Sequence, residues 1–447
     1  MTTETAPAKG DSMTAPAGNI SDESTGLTPH KEHTEQPGHQ EGPQIAQFKG
    51  PLEKVYAFWL AGMSCDGCSI AVLGATAPPV EALLGGTIPG LPKVILSHPV
   101  LSVEAGEAFV AMYHKAWEGK LDAPYVIIFE GSLADESLAA ATGGYWSCMG
   151  TSGIGDPFED GVVTTAEWCK RLAPGAAASI AIGTCATWGG IPAAYGNPTG
   201  AMSMMDFLGK DYRSALGLPV INIPGCSPVG DNFTETIATV LMFLQGMGPL
   251  PEFDELGRPA WLFKETVHRQ CNRAGYYEEG SFASEYGQKE CLVEIGCWGP
   301  VVQCNITSRG AINHMGGCMN TGAICIGCTM PGFPDKFAPF YQAAPGSDVS
   351  GAASRLVGSF IRPLRRITQR NQNRETRWDR NGEVPSGWGH PSEPSTSDKI
   401  AHFFYEKLQF SGSVKPGRTK PEAKYKGNYE VPGVVAGESD PSQKPTP

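Results

Sequence analysis

Four short apolar runs punctuate the first half of the chain, and each ends in turn residues. Val55-Tyr56-Ala57-Phe58-Trp59-Leu60 leads into a loop bearing glycine and cysteine, and Pro124 to Glu130 ends at Gly131. Ala177 to Ile182 ends at Gly183, and Leu218 to Ile223 ends at Pro224-Gly225. The segments between them are long enough for helices, and Ala105 to Trp117 and Thr165 to Leu172 suit such crossovers. Continuous apolar runs bounded by turn residues read as strands buried on both faces. The pattern therefore predicts an α/β fold, a doubly wound parallel sheet with helices on both sides. Loops leaving the carboxyl ends of such strands build the site. Three of these loops carry cysteine: Cys65 and Cys68, Cys185, and Cys226.

Outside that pattern the chain changes character. Residues 1–51 are rich in Thr, Pro, Gly, Glu and His and bury too little to offset ordering entropy, so they read as a mobile arm with solvated His30, His33 and His39. The sheet domain is expected over 52–235. A region of loops dense in Cys, Gly and Asn follows over 236–344, and an extended tail over 345–447. Between Arg355 and Arg380 that tail holds eight arginines against Glu375 and Asp379, and Ser397 to Leu408 suits a helix. There is no internal repeat. No run approaches the ~18 apolar residues of a membrane span. The best, Thr239 to Met247, reads as part of a core helix.

Thirteen cysteines stand in 447 residues, and the start has no basic-then-apolar leader and no twin arginine. The expected location is cytoplasmic, with peripheral membrane association left open, and there metal ligation displaces disulfides as the use of the thiols. The formal charge of −12 favours solubility and argues against nucleic-acid binding.

His268, Cys271, Cys291, Cys297, Cys304, Cys318, Cys325 and Cys328 make eight candidate ligands within about sixty residues. Eight is two sets of four, the number that an iron–sulfur cube or a tetrahedral zinc takes. Zinc sites pair close Cys-x-x-Cys knuckles, and only Cys325-x-x-Cys328 has that form here. Irregularly spread thiols in glycine-rich loops suit iron–sulfur cages better. Cys65, Cys68, Cys185 and Cys226 make a third set, leaving Cys148 and Cys169 as structural thiols expected to be buried. Three sets suggest an electron wire. No phosphate-cradling loop, nucleophile–base pair or His-Glu-x-x-His motif supplies a catalytic centre, so the chemistry falls to a partner subunit.

These motifs resemble the small, electron-transferring subunit of NiFe hydrogenases over about Val55 to Tyr341. The likeness is carried by Cys65-Asp66-Gly67-Cys68, Gly183-Thr184-Cys185-Ala186-Thr187-Trp188-Gly189-Gly190, Gly225-Cys226-Ser227-Pro228 and Glu265-Thr266-Val267-His268-Arg269-Gln270-Cys271. Gly143-Gly144-Tyr145-Trp146 and Asn197-Pro198-Thr199-Gly200 echo the same family. The resemblance implies a flavodoxin-like domain plus a loop-rich cluster domain. It implies a proximal cluster on Cys65, Cys68, Cys185 and Cys226, and a distal one on His268, Cys271, Cys291 and Cys297. A medial cluster falls to Cys304, Cys325 and Cys328. Cys318 stands where relatives commonly have proline, and it makes the medial centre a fourth-thiolate site. Three 4Fe-4S clusters are then expected, with a medial 3Fe-4S and an unligated Cys318 as the alternative.

Asp66 stands where many relatives have threonine, either as a ligand or tuner of the proximal cluster or as a solvated loop carboxylate. Gly67 and Gly190 occupy the positions of the extra cysteines of oxygen-tolerant membrane-bound relatives, so that six-cysteine cluster is not expected. With the tail and the missing leader, these features resemble the aerobic, high-affinity actinobacterial-type subgroup. The implied partners are a large subunit holding the nickel–iron centre, further copies of the heterodimer, and an external iron–sulfur or quinone-linked acceptor. Three alternatives stay open: a quinone-reductase-type small subunit with a single cluster, a free multi-cluster electron carrier, and a zinc-stabilised protein that grips nucleic acid through Arg355–Arg380.

Overall fold

The computed structural model describes residues 51–141, 145–151, 162–209, 211–313, 315–342 and 351–359. The expected N-terminal arm with His30, His33 and His39, Gly143-Gly144, most of the Arg355–Arg380 stretch and the Ser397–Leu408 helix lie outside the described residues. In chain order the strands are β1 (Lys54–Ala61), β2 (Lys93–Ser97), β3 (Tyr125–Glu130), β4 (Cys148–Thr151), β5 (Val162–Thr164), β6 (Ala178–Ile182) and β7 (Ile221–Ile223). Five of them form one sheet in the order β2-β1-β3-β6-β7, and every pairing in it is parallel. Counted along the chain that order is 2-1-3-4-5, the flavodoxin-like arrangement, whose switch point lies between β1 and β3.

The central strands β3 and β6 are buried along their whole length, which is why their sequences are unbroken apolar runs. On one face pack α3 (Gly106–Trp117) and α5 (Thr165–Leu172); on the other pack α1 (Gly67–Leu73), α2 (Val80–Gly85) and α8 (Gly230–Leu244). Trp168 of α5 centres the first face. Its indole donates to the Met149 carbonyl at 2.6 Å, and its ring meets Tyr113 and His114 at 5.6 and 5.0 Å. On the second face Trp59, Ile128, Phe233, Ile237 and Val240 interlock.

Several expectations shift in detail. The edge strand β2 stands outside the four apolar runs because its Val94-Ile95-Leu96 core is only a few residues long. The fourth run shortens to Ile221–Ile223, since Pro219 has no amide hydrogen to give to a ladder. Thr239 to Met247 does lie mostly in a core helix, but α8 stops at Leu244 and leaves Met247 exposed. Cys169 is buried, whereas Cys148 lies exposed on β4, in an antiparallel pair with β5.

Beyond α8, which runs across the boundary expected near residue 235, only short helices form: α9 (Ala260–Phe263), α10 (Val267–Gln270), α11 (Ala274–Glu278) and α12 (Ile306–Arg309). Their core joins Trp298, Val302, Met330 and Phe337 to Cys297, Cys304 and Cys325. The two regions are stitched at α8. Asn232 and Asn305 exchange side-chain hydrogen bonds at 2.9 and 2.8 Å, and Glu235 accepts from the Trp261 indole and pairs with Arg309. Buried Arg258 pairs with Asp254 at 2.7 Å, donates to Gln303 and lies over the Phe263 ring. Among the described residues no helix is long and apolar enough to cross a membrane.

Because Trp168 joins α3, α5 and β4, Trp168→Ala is expected to destabilise the sheet region by about 3–5 kcal/mol, the usual cost of deleting a buried large aromatic. A matching fall in the urea unfolding midpoint checks this; an unchanged midpoint contradicts the packing described.

Candidate functional site

The carboxyl ends of β1, β6 and β7 bring Cys65, Cys68, Cys185 and Cys226 together. Burial is the main cause that pushes the Cys68 thiol far up, and Glu130, Cys185, Cys65 and Cys226 are each close enough to add to it. Cys185 is pushed up to about 11, chiefly by burial and then by Cys226. Behind Cys68 lies Glu130, buried at the end of β3. Its carboxylate accepts from the Cys68 amide and the Trp59 indole, each at 3.0 Å, and from the Ser69 amide and hydroxyl. Ser69 also bonds His98 Nε2 at 2.9 Å, and His98 Nδ1 accepts from the amides of Val100 and Leu101. Asp66, at φ 59°, starts α1 in the left-handed region with its side chain exposed and capping nothing.

Two glycines make room for the thiols. Gly183 has φ 82°, and a Cβ there would collide with Cys68 Sγ; at Gly190, φ 60°, a Cβ would lie 2.8 Å from Cys185 Sγ.

In the second region His268, Cys271, Cys291 and Cys297 line one small cavity together with Arg273. The His268 ring packs edge-on against Tyr277 at 4.7 Å. Amides of Arg273, Gly299 and Cys325 donate to the sulfurs of Cys271, Cys297 and Cys297, each at 3.4 Å. Arg273 is buried, held by the carbonyls of Gln288, Glu290 and Met319 at 2.6, 2.9 and 3.1 Å. Burial pushes Cys271 up to about 12, and the neighbouring guanidinium partly offsets it.

The third group is Cys304, Cys318, Cys325 and Cys328. Burial raises all four thiols, Cys304 to about 12, and Cys318 is close enough to raise each of the other three. This group touches both others. The Thr184 hydroxyl, next to Cys185, donates to the Cys328 carbonyl at 2.6 Å, and the Cys325 amide donates to the Cys297 sulfur.

Among the described residues no three His, Cys, Asp or Glu side chains converge as a single metal ion requires. The donor set fits a larger, thiophilic, cationic group. Sulfurs gathered together and mostly out of water release their protons at least cost to a cationic group that takes the protons' place, and the amides aimed at them stabilise the thiolates that result. Sequence reasoning placed Glu130 in a strand and Thr184 in a motif without giving them work, and did not single out Arg273. An acid ending a wholly apolar strand was the one available signal, for Glu130.

Residues 65–240 match the family described as NADH ubiquinone oxidoreductase, 20 Kd subunit, and residues 263–341 match the family of the C-terminal part of the NiFe/NiFeSe hydrogenase small subunit. The periplasmic NiFeSe hydrogenase small subunit of Desulfomicrobium baculatum is 32% identical over 293 residues, covering 65% of this chain and 88% of that protein. The hydrogenase-2 small chain of Escherichia coli K12 is 32% identical over 328 residues, covering 68% and 78%. A solved actinobacterial-type NiFe-hydrogenase from Ralstonia eutropha H16 matches with TM-score 0.68 and 47% identity, covering 76% of this chain and 98% of that one. The quinone-reductase likeness thus stops at the sheet region, and the second region is matched by the hydrogenase family.

Gly183→Ala is expected to drive Cys68 away from its neighbours and lower the iron bound per chain. Gly196→Ala, also at positive φ but with nothing within 4 Å, is the control and should keep its iron. Equal iron in the two variants, read by metal analysis, contradicts the close approach at Gly183.

Proposed function

This chain belongs to the small-subunit family of NiFe hydrogenases, and from that premise we propose how its own residues carry electrons from the large subunit outward. Cys65, Cys68, Cys185 and Cys226 hold the proximal 4Fe-4S cluster. Cys304, Cys318, Cys325 and Cys328 hold the medial one, and His268, Cys271, Cys291 and Cys297 the distal one. When bound, such clusters supply one-electron redox centres. The observation that carries the proposal is continuity: the hydroxyl of Thr184, next to the proximal ligand Cys185, donates to the carbonyl of the medial ligand Cys328, and the amide of the medial ligand Cys325 donates to the sulfur of the distal ligand Cys297.

The protein's part is to exclude water, fix the sulfurs and set the local charge. The buried cores around Cys297, Cys304 and Cys325 do the first. Backbone amides do the second, and Arg273 adds positive charge at the distal end. Cys65 and Cys226 are exposed, and Ile70 and Ile191, close to Cys68 and Cys185, are 64% and 58% exposed. Large apolar side chains left open around a ligand set favour a protein partner, so the large subunit with its nickel–iron centre seats there. At the other end His268 differs in charge from a thiolate, which suits an exit toward an iron–sulfur or quinone-linked acceptor. Asp66, exposed and clear of any cap, acts as a solvated loop carboxylate and not as a ligand.

Protein co-purified with its large subunit is expected to be brown, to bleach with dithionite and to carry about twelve irons per small subunit, four for each of three cubes. Iron far below that, or stoichiometric zinc in colourless protein, sinks the assignment. Electron paramagnetic resonance of the oxidised wild type should show no strong three-iron signal, and Cys318→Ala should create one. A strong three-iron signal already in the wild type removes Cys318 from the ligand set.

A further inference from the structure

One charged side chain is buried at the distal cavity without being a ligand. Helix α10 ends at Gln270, Cys271 turns to extended backbone, and Arg273 caps the start of α11. That short turn gives Arg273 two contacts with the cysteine group. Its amide donates to the Cys271 sulfur at 3.4 Å, and the residue lines the cavity beside His268, Cys271, Cys291 and Cys297. Arg273 is only 7% exposed. Its Nε donates to the Met319 carbonyl at 3.1 Å, and one terminal nitrogen donates to the carbonyls of Gln288 and Glu290 at 2.6 and 2.9 Å. Met319 follows Cys318 and Glu290 precedes Cys291, so the guanidinium is wedged between the backbones of two ligand turns. Arg171, Arg258, Arg269, Arg309 and Arg355 each pair with a carboxylate, whereas the side-chain partners of Arg273 among the described residues are carbonyls.

Carbonyls hold a guanidinium in one place without cancelling its charge, as a carboxylate would. Bonding carbonyls does not itself call for a full charge, since a side-chain amide also donates to them. A buried charge is costly, and this one faces ligand side chains and not an acid. Salt screens its field in the cavity little, and that field favours whichever state of the bound group carries more negative charge. For an iron–sulfur centre this is the reduced state. The same field offsets part of the rise that burial imposes on Cys271, Cys291 and Cys297. We propose that Arg273 raises the reduction potential of the distal centre by a charge fixed on backbone carbonyls, making that centre the end of the relay where electrons collect. The role rests on the ligand assignment above and deepens it: four ligands define the centre, and this charge outside them sets where its potential lies.

The test is a redox titration, followed by electron paramagnetic resonance, of the heterodimeric holoenzyme and its Arg273→Gln, Arg273→Met and Arg273→Lys variants. Gln keeps donors for the carbonyls and removes the charge, Met removes both, and Lys keeps the charge. The distal potential should shift downward in Gln and Met and stay near the wild type in Lys, while the medial potential shifts less than the distal one. A role confined to hydrogen bonding would leave Gln near the wild type and move Lys as far as Met, and that pattern overturns the proposal. A larger shift at the medial centre than at the distal one does so too. Loss of distal iron from the Gln variant also overturns it, because the residue is then holding the site together. Where the Met or Lys variant binds no distal iron, the Gln shift decides. A wild-type holoenzyme without a distal centre defeats the ligand assignment and this role together, whereas normal wild-type centres with an unmoved distal potential in Gln defeat this role alone.

Discussion

Clustered thiols out of water are the constraint on which the rest of the molecule depends. A buried thiolate is costly, and a second one beside it costlier still. Burial raises the thiols in all three groups, and neighbouring sulfurs raise them further. Such an arrangement is tolerable with the protons on, or with a cationic group that replaces them. The scaffold is built around the second state. Glycines stand where a Cβ would strike a sulfur, and amides point at the sulfurs where a core would otherwise have carbon.

The two halves meet this constraint by different means. In the first, a parallel sheet delivers loops to one edge. The strands need only be short and apolar, and the chemistry is confined to the few residues after each. In the second, no sheet forms among the described residues, and the cysteines are themselves part of the core with Trp298, Met330 and Phe337. Without regular hydrogen-bond ladders, the region leans on side chains such as Arg273, which donates to three carbonyls, and Arg258, which donates to Asp254 and Gln303. Its folding is then coupled to what its thiols bind.

This contrast also governs what could be read from sequence. The apolar runs ending at Glu130 and Ile182 announced buried parallel strands, since only a residue covered on both faces has no reason to alternate. The ligand residues were legible because cysteine is rare and its motifs are specific. β2 escaped because three apolar residues do not distinguish an edge strand from a loop. The exposure of Cys148 escaped because nothing local distinguishes a surface thiol from a buried one. Glu130, Thr184 and Arg273 act through partners 62, 144 and 46 residues away in sequence, and no local pattern encodes such meetings.

Two of these distant meetings bias the molecule in one direction. The Glu130 carboxylate stands behind Cys68 and adds to the rise that burial imposes on its thiol, whereas the Arg273 guanidinium stands beside Cys271, Cys291 and Cys297 and offsets a part of that rise in theirs. A charge that discourages a thiolate also discourages an added electron nearby, and one that favours thiolates favours the electron. Both charges are buried, where salt screens them little. On the proposed ligand assignment, negative charge at the proximal group and positive charge at the distal group tilt the path outward, toward His268. The tilt belongs to the protein alone, fixed by hydrogen bonds that hold each charged side chain in a single place.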